Sequence, residues 1–534
     1  MRNPIKATVL VLILMLTLCA AGGLWLYYQN PQSHRVAHHK LSSGADSSLG
    51  TVSIPENHMV DDSFTSHLPL IIIDTNGQKI VNYKFFDSAT QSHIEPEGID
   101  PYVDMTLFFI DNPDYVNRLG DPAATTVTGR IKVRGNYSSA SNFSKKQYAI
   151  RLFDSEGNEF DASLLGMAPS SKWVLNGTQA DGSYMRNYVA MNMGGELFPY
   201  TPDMRYCEAV LKSGDQYEYL GLFILYETIG RGKGRVDITK YNPEQADTSY
   251  ILRRDRYEEG TTMLQTWALE NGLTDTWFEV QYPGRSKITQ ETVAQITDEI
   301  NTIEQILYSD DYDIYSQYPA YLDVDSFVDY FIVNELFGNY DAGDHSTYLY
   351  KEIGGKLSMA ALWDYDMAMD NWDVELLDLH TIPFVEQPWF DRLILDPAFT
   401  KQIERRYQAL RLGLFSDENL SRFFSETEAF LGNAILRDHS RWAGTSTFLV
   451  DSAIENRTNL IIDRSRNTPQ EEIQRVEDVI LLHAEYLDNT IGTLSEPDEG
   501  TFSHAQRDLS SYTVFFILMF FTSVIVVQRY RRHL

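Results

Sequence analysis

The chain has 534 residues, 43% of them hydrophobic and 13% aromatic, which supports a sizeable core and excludes a disordered polymer. Its formal net charge of −31 excludes nucleic acid and anionic lipid surfaces as general partners, because phosphate binding needs a basic face. Two cysteines, Cys19 and Cys207, exclude a disulfide framework, and Cys207 reads as a small buried hydrophobe.

Residues 1–6 carry Arg2 and Lys6 and read as a cytoplasmic tail. From Ala7 to Tyr28 the chain is almost wholly apolar, long enough at about 1.5 Å per residue to span a core of about 30 Å. Trp25, Tyr27 and Tyr28 end it as an aromatic belt. The segment 7–28 therefore reads as a transmembrane helix or signal anchor; cleavage after the small residues Ala20-Ala21-Gly22-Gly23 is the competing reading. Residues 29–65, rich in Ser, His and Gly, read as a linker.

The main domain is expected over 66–380. Short β-branched runs predict antiparallel strands at Leu70–Ile73, Val103–Phe109, Thr126–Val133 and Gln147–Phe153. A helix is expected over 184–196, then a hairpin of Ala209–Lys212 and Leu220–Tyr226 around Ser213-Gly214-Asp215. Apolar residues at three-to-four spacing predict helices at Thr289–Tyr308 and Asp325–Phe337. Residues 381–490 read as a helical subdomain, with helices such as Gln402–Leu414 and Gln470–Leu487, and 491–511 as a second linker. The apolar run 512–528 predicts a second transmembrane helix, followed by a basic tail, 529–534. Arg529, Arg531 and Arg532, with Arg2 and Lys6, place both termini in the cytoplasm and the main domain outside it, in a two-pass cell-membrane protein.

The segment richest in chemistry runs from Asn339 to Asp366. A loop holds Asp341 and Ser346, a hairpin follows, and Trp363-Asp364-Tyr365-Asp366 stands at its end. Protein kinases set a base and a metal ligand on such a frame, because phosphoryl transfer needs positioning and charge neutralisation. Asp341 is the candidate base; alone it also reads as a turn-capping Asp before Ala342-Gly343. Asp366 and Asp364 are candidate Mg²⁺ ligands, since hard cations take carboxylate oxygens, and spacing i, i+2 on a strand puts both on one face. Their bland reading is a pair of solvated strand-end carboxylates. Lys146, or Lys145 on the opposite face, reads as a phosphate-reaching lysine or as an edge-strand device against aggregation.

The pattern Asn339-x-Asp341, Tyr348-x-Tyr350, Trp363-Asp364-x-Asp366 resembles the CotH kinase family of spore-coat-type atypical kinases. Other segments agree in order: Leu68-Pro69 with Asp74-x-x-Gly77, Arg134-Gly135-Asn136, Lys145-Lys146-Gln147-Tyr148, Lys172-Trp173, Asp181, Arg186-Asn187, and Leu220-Gly221-Leu222 with Glu227. The resemblance implies an α+β, atypical protein-kinase-like fold with a β-rich N-terminal and an α-rich C-terminal lobe, flanked here by the two apolar spans. It implies ATP and Mg²⁺ as cofactors and transfer to Ser or Thr of a protein substrate such as a surface or coat protein. Asp341 is then the base, Asp366, Asp364 and Ser346 the metal set, and Arg134, Lys145 and Lys146 the phosphate pocket, with Glu227 pairing the lysine. One departure stands: many members carry an Asn where Ser346 and Thr347 stand, which leaves a second metal ion without that ligand. Two other classes remain open, a degenerate kinase-fold scaffold or adhesin, and an enzyme of surface polymers with Asp341 and Asp366 as an acid/base pair.

Overall fold

The computed structural model describes residues 35–495, apart from 84, 88–91, 95–97, 135–142, 178, 180, 246, 372–378 and 443–467. Both expected membrane spans, 7–28 and 512–528, lie outside the described residues. No helix among the described residues is long and apolar enough to cross a membrane.

Seven strands close a barrel: β1 (Leu70–Asp74), β2 (Val103–Ile110), β3 (Thr125–Arg134), β4 (Gln147–Leu152), β5 (Lys172–Asn176), β6 (Met204–Ser213) and β7 (Gln216–Glu227). Neighbours run β7-β5-β4-β3-β2-β1-β6, and β6 pairs again with β7. All pairings are antiparallel except the parallel β6–β1 pair that completes the ring. Alternation drives the closure: in β3, Val127, Ile131 and Val133 turn inward beside Ile71, Ile150, Phe223 and Cys207. Cys207 is thus the small buried hydrophobe its context suggested. The register shifts at Ala209/Val210 opposite Gly221, whose φ of +123° favours glycine.

A second sheet joins the hairpin expected after the Asp341 loop to three strands that carried no signal in the sequence. It comprises β8 (Tyr250–Asp255), β9 (Met263–Leu264), β10 (Trp277–Tyr282), β11 (Thr347–Lys351) and β12 (Leu357–Ala361), ordered β9-β10-β8-β11-β12. The second half is nonetheless mostly helical, with this sheet set among the helices. Helices surround it: α1 (Arg186–Met193), α2 (Gln290–Leu307), α3 (Val324–Leu336), α4 (Pro397–Arg411), α5 (Asp417–Leu431), α6 (Asn433–Trp442) and α7 (Pro469–Thr490). The central helix α3 has buried side chains on every face, in one core with α1, α4, α5 and α7. The expected separate helical subdomain thus shares the core of the main domain.

The linker expectation for 29–65 fails over its described part. Residues 35–66 form a strap across the domain. Arg35 pairs with Asp203 at 3.3 Å, and His38 and His39 are buried. The His38 Nδ1 accepts the Tyr206 amide at 3.0 Å, and the Tyr188 hydroxyl lies 3.0 Å from the His39 Nδ1. The strap ends against α6, where Arg437 donates to the Leu49 and Thr51 carbonyls at 3.0 and 3.2 Å.

Candidate active site

The loop carrying Asp341 leaves the end of α3 through Phe337 and Gly338, whose φ of +57° suits glycine. It is a tight structure. The His345 amide donates to the Asp341 carbonyl at 2.8 Å, and the Gly343 amide donates to the Thr347 hydroxyl at 2.7 Å. The half-buried Asp341 carboxylate has the His345 Nδ1 at 3.4 Å and the Arg256 guanidinium at 4.0 Å. The hairpin β11–β12 then returns the chain so that Asp364 meets this loop: Ser346 donates to Asp364 at 3.3 Å.

The Asp364 and Asp366 carboxyls lie side by side, each acting on the other. They reach this arrangement without the extended strand expected there. The segment after Ala361 leaves the sheet, Asp364 takes a φ of +65°, and Tyr365 turns into the core between them. The Tyr365 amide donates to Asn187 at 2.8 Å and its hydroxyl to Asn334 at 2.7 Å, which pins both neighbours.

Electrostatics set the pair apart. Burial raises the Asp364 carboxyl above the usual carboxylate value, opposed by Arg134 and assisted by Asp341. The Asp364 side chain is itself exposed to solvent on its outer side, and Asp366 beside it is half-buried. Burial, then Asp364, then Asp181 push Asp366 well above the usual range. Two hard carboxylates driven toward sharing a proton are a donor set that a divalent cation relieves. Among the described residues no group of three or more His, Cys, Asp or Glu is arranged to hold a metal ion. Two carboxylates with phosphate oxygens are the usual Mg²⁺ arrangement, and the Ser346 hydroxyl lies beside them. The residues present therefore fit Mg²⁺ held jointly by protein and nucleotide.

Arg134, at the end of β3, lies over the Trp363 ring at 5.5 Å and is the cation that acts on both Asp364 and Asp366. Gly135, Asn136, Ser138 and Ser139 lie outside the described residues. Arg186 donates to Asp181 at 2.6 Å, to Glu472 of α7 at 2.7 Å and to the Ala368 carbonyl at 2.9 Å, locking the turn after Asp366.

The lysine pairing differs from expectation. Glu227 accepts the amides of Ala168 and Asp203 at 3.0 and 3.1 Å and faces Arg235 at 3.8 Å, so its oxygens are committed elsewhere. Lys145 is fully enclosed instead, with its ammonium 2.6 Å from Asp438 of α6 and 2.5 Å from the Leu222 carbonyl. Burial pulls both partners toward neutrality, lowering Lys145 and raising Asp438, and the ion pair opposes it. Gly221 makes room, since a Cβ there would meet the Asp438 carboxylate at 2.2 Å. Lys146 stands half-buried before β4, and burial lowers its ammonium. The structure thus gathers Asp341, Ser346, Asp364, Asp366 and Arg134, and sends Lys145 and Glu227 to other partners. Sequence reasoning missed Asp438: a lone Asp in an amphipathic helix carries no signal until the Gly221 gap opposite is known.

The sequence matches the family model described as CotH kinase protein over residues 131–487, more than half of the chain. No curated protein matches it. The matched span holds every site residue above and starts inside β3, so the strap, β1 and β2 lie before it.

Proposed function

Because the chain belongs to the CotH kinase family, we propose that it transfers the γ-phosphoryl group of ATP to a Ser or Thr hydroxyl of a protein outside the cytoplasm. The observation that carries this reading is the Asp364–Asp366 pair joined through Ser346 to the Asp341 loop. Bound Mg·ATP would supply the transferable phosphoryl group, and its cation would neutralise charge on the two carboxylates and on the phosphates. Asp364, Asp366 and Ser346 would hold the ion, and Arg134, beside both carboxylates, would face the phosphates. Asp341 orients the acceptor hydroxyl and takes its proton. Extracytoplasmic placement is supported by the basic residues flanking 7–28 and 512–528, and the substrate would be a surface or coat protein.

The test is calorimetry of the full-length protein with Mg·ATP. We expect binding that falls about 100-fold or more in Asp366→Ala, the scale of a lost charge-neutralising group. Equal affinity in Asp366→Ala would refute the metal assignment. No ATP binding by the wild type would leave the scaffold reading in its place.

A further inference from the structure

The Asp341 loop is also tied sideways, to a buried arginine that the reaction does not require. Arg254, in β8, is only 2% exposed, between the rings of Phe278 and Trp389 at 5.0 and 5.6 Å. Its Nε donates to the Thr276 hydroxyl at 3.1 Å. Thr276 passes its own proton to Asp344 Oδ1 at 3.0 Å, and the Thr274 hydroxyl lies 2.9 Å from it. Asp344 Oδ2 is 3.7 Å from the His345 Nδ1, the same nitrogen that lies 3.4 Å from Asp341. Arg254, Thr276, Asp344, His345 and Asp341 therefore form one chain of polar contacts from the second sheet to the base.

A charge at this place is costly. Arg254 Nη2 has no hydrogen-bond partner, and burial lowers the guanidinium below its usual value. The surroundings are apolar: Phe278, Phe327, Leu349, Met359, Trp389 and Phe390 line a small cavity with Arg254, under Gly343 and Thr347. An apolar side chain would fill such a place at lower cost. What the guanidinium adds is direction, since its Nε hydrogen bond runs through Thr276 toward the loop.

We propose that Arg254 and Thr276 are positioning residues for Asp341. They fix Asp344, which fixes the His345 ring, which sets the angle of the Asp341 carboxylate toward the acceptor hydroxyl. The proposal rests on the kinase reading. A base displaced by about 1 Å loses about 100-fold in rate, whereas nucleotide affinity, carried by other residues, is unaffected.

The test compares full-length wild type, Thr276→Val, Thr276→Ser and Asp344→Ala, with casein as acceptor and Mg·ATP as donor, alongside amide hydrogen exchange of residues 342–345. We expect Thr276→Val to lower kcat about 100-fold while the KM for Mg·ATP stays within about twofold. Thr276→Ser, which keeps the hydroxyl, restores kcat to within about threefold. Exchange at Gly343 and His345 rises in Thr276→Val and not in Thr276→Ser. The double variant Thr276→Val/Asp344→Ala is no slower than either single one, because both cut the same chain. Asp344→Ala, at a partly exposed position, repeats the test if Thr276→Val does not fold. Unchanged kcat in Thr276→Val, or a parallel loss of Mg·ATP affinity, overturns the proposal. If the wild type transfers nothing to casein, the kinase reading is in question and exchange alone decides: equal exchange in wild type and Thr276→Val overturns the positioning chain.

Discussion

Glu208 and Arg437 meet inside the protein with both side chains fully enclosed, while Asp364 and Asp366 set two like charges side by side. The first cluster is matched. Arg437 grips Glu208 through two bonds of 2.8 and 2.6 Å, and the Tyr219 hydroxyl adds a third at 2.6 Å. Burial pushes the Glu208 carboxyl up, but Arg437 and the hydrogen bonds outweigh it and hold it below the usual value. The second cluster is mismatched: Arg134 is outweighed, and both carboxyls rise. The difference separates a charge pair that holds α6 to the barrel from a pair of like charges that a divalent cation would relieve.

Removing one side of the matched pair gives the largest expected effect. Arg437→Ala leaves Glu208 charged and buried, at a cost of about 3–5 kcal/mol in urea unfolding. A loss under about 1 kcal/mol would mean that solvent reaches Glu208 and the comparison fails.

Acid should act next, through the strap. His38 lies among Arg205, His39 and His67, and burial, then Arg205, drive it well below the usual imidazole value. His39 is lowered to about 4 by burial and Lys40 against Glu426. Folded values below the unfolded one mean that the unfolded chain binds more protons between them. Stability is therefore full above about pH 6.5 and lost as pH falls toward 4, by about 1.4 kcal/mol per unit for each histidine. We expect a drop of about 2–4 kcal/mol in unfolding free energy between pH 6.5 and 5, flattened by His39→Gln. The Asp364–Asp366 pair has the opposite sign. Its raised folded values make its contribution present in acid and lost as pH rises through them.

Relieving the mismatched pair should be a smaller gain. Asp366→Asn removes one like charge and is expected to stabilise the metal-free protein by about 1 kcal/mol, and, on the kinase reading, Mg²⁺ should raise the Tm of the wild type and not of this variant. Destabilisation without Mg²⁺ would show that the pair is not strained. The smallest effect belongs to Glu227→Gln. With its oxygens on the Ala168 and Asp203 amides, we expect Mg·ATP affinity within about twofold of wild type.

These contrasts also mark what the sequence could disclose. Alternation along Val103–Ile110 and Thr125–Arg134 exposes one face to a core, so both strands are legible almost to their ends. Barrel closure is not, because the parallel pairing of Glu208–Lys212 with Leu70–Asp74 joins distant segments with no local mark. The strand Tyr250–Asp255 was hidden by Arg253 and Arg254, charged residues in a short element whose partners are supplied only by the fold. At the site, Asp341, Ser346, Asp364 and Asp366 were legible together because a five-residue hairpin arm on each side brings them back to one place. The left-handed Asp364 was not, nor was Asp438, whose role depends on a missing side chain at Gly221.

The strap has a consequence for how the protein is made. Arg437 bonds the Leu49 carbonyl across 388 residues of chain, and Ser440 bonds the Ile54 amide across 386. At about 5–20 residues per second, Leu49 waits about 20–80 s after synthesis for its partner. Once β7 ends at Glu227, the barrel is complete in sequence while the helices that cover its apolar face and the His38–His39 turn are still to come. Such a chain should be most prone to aggregate when translation stalls before α6.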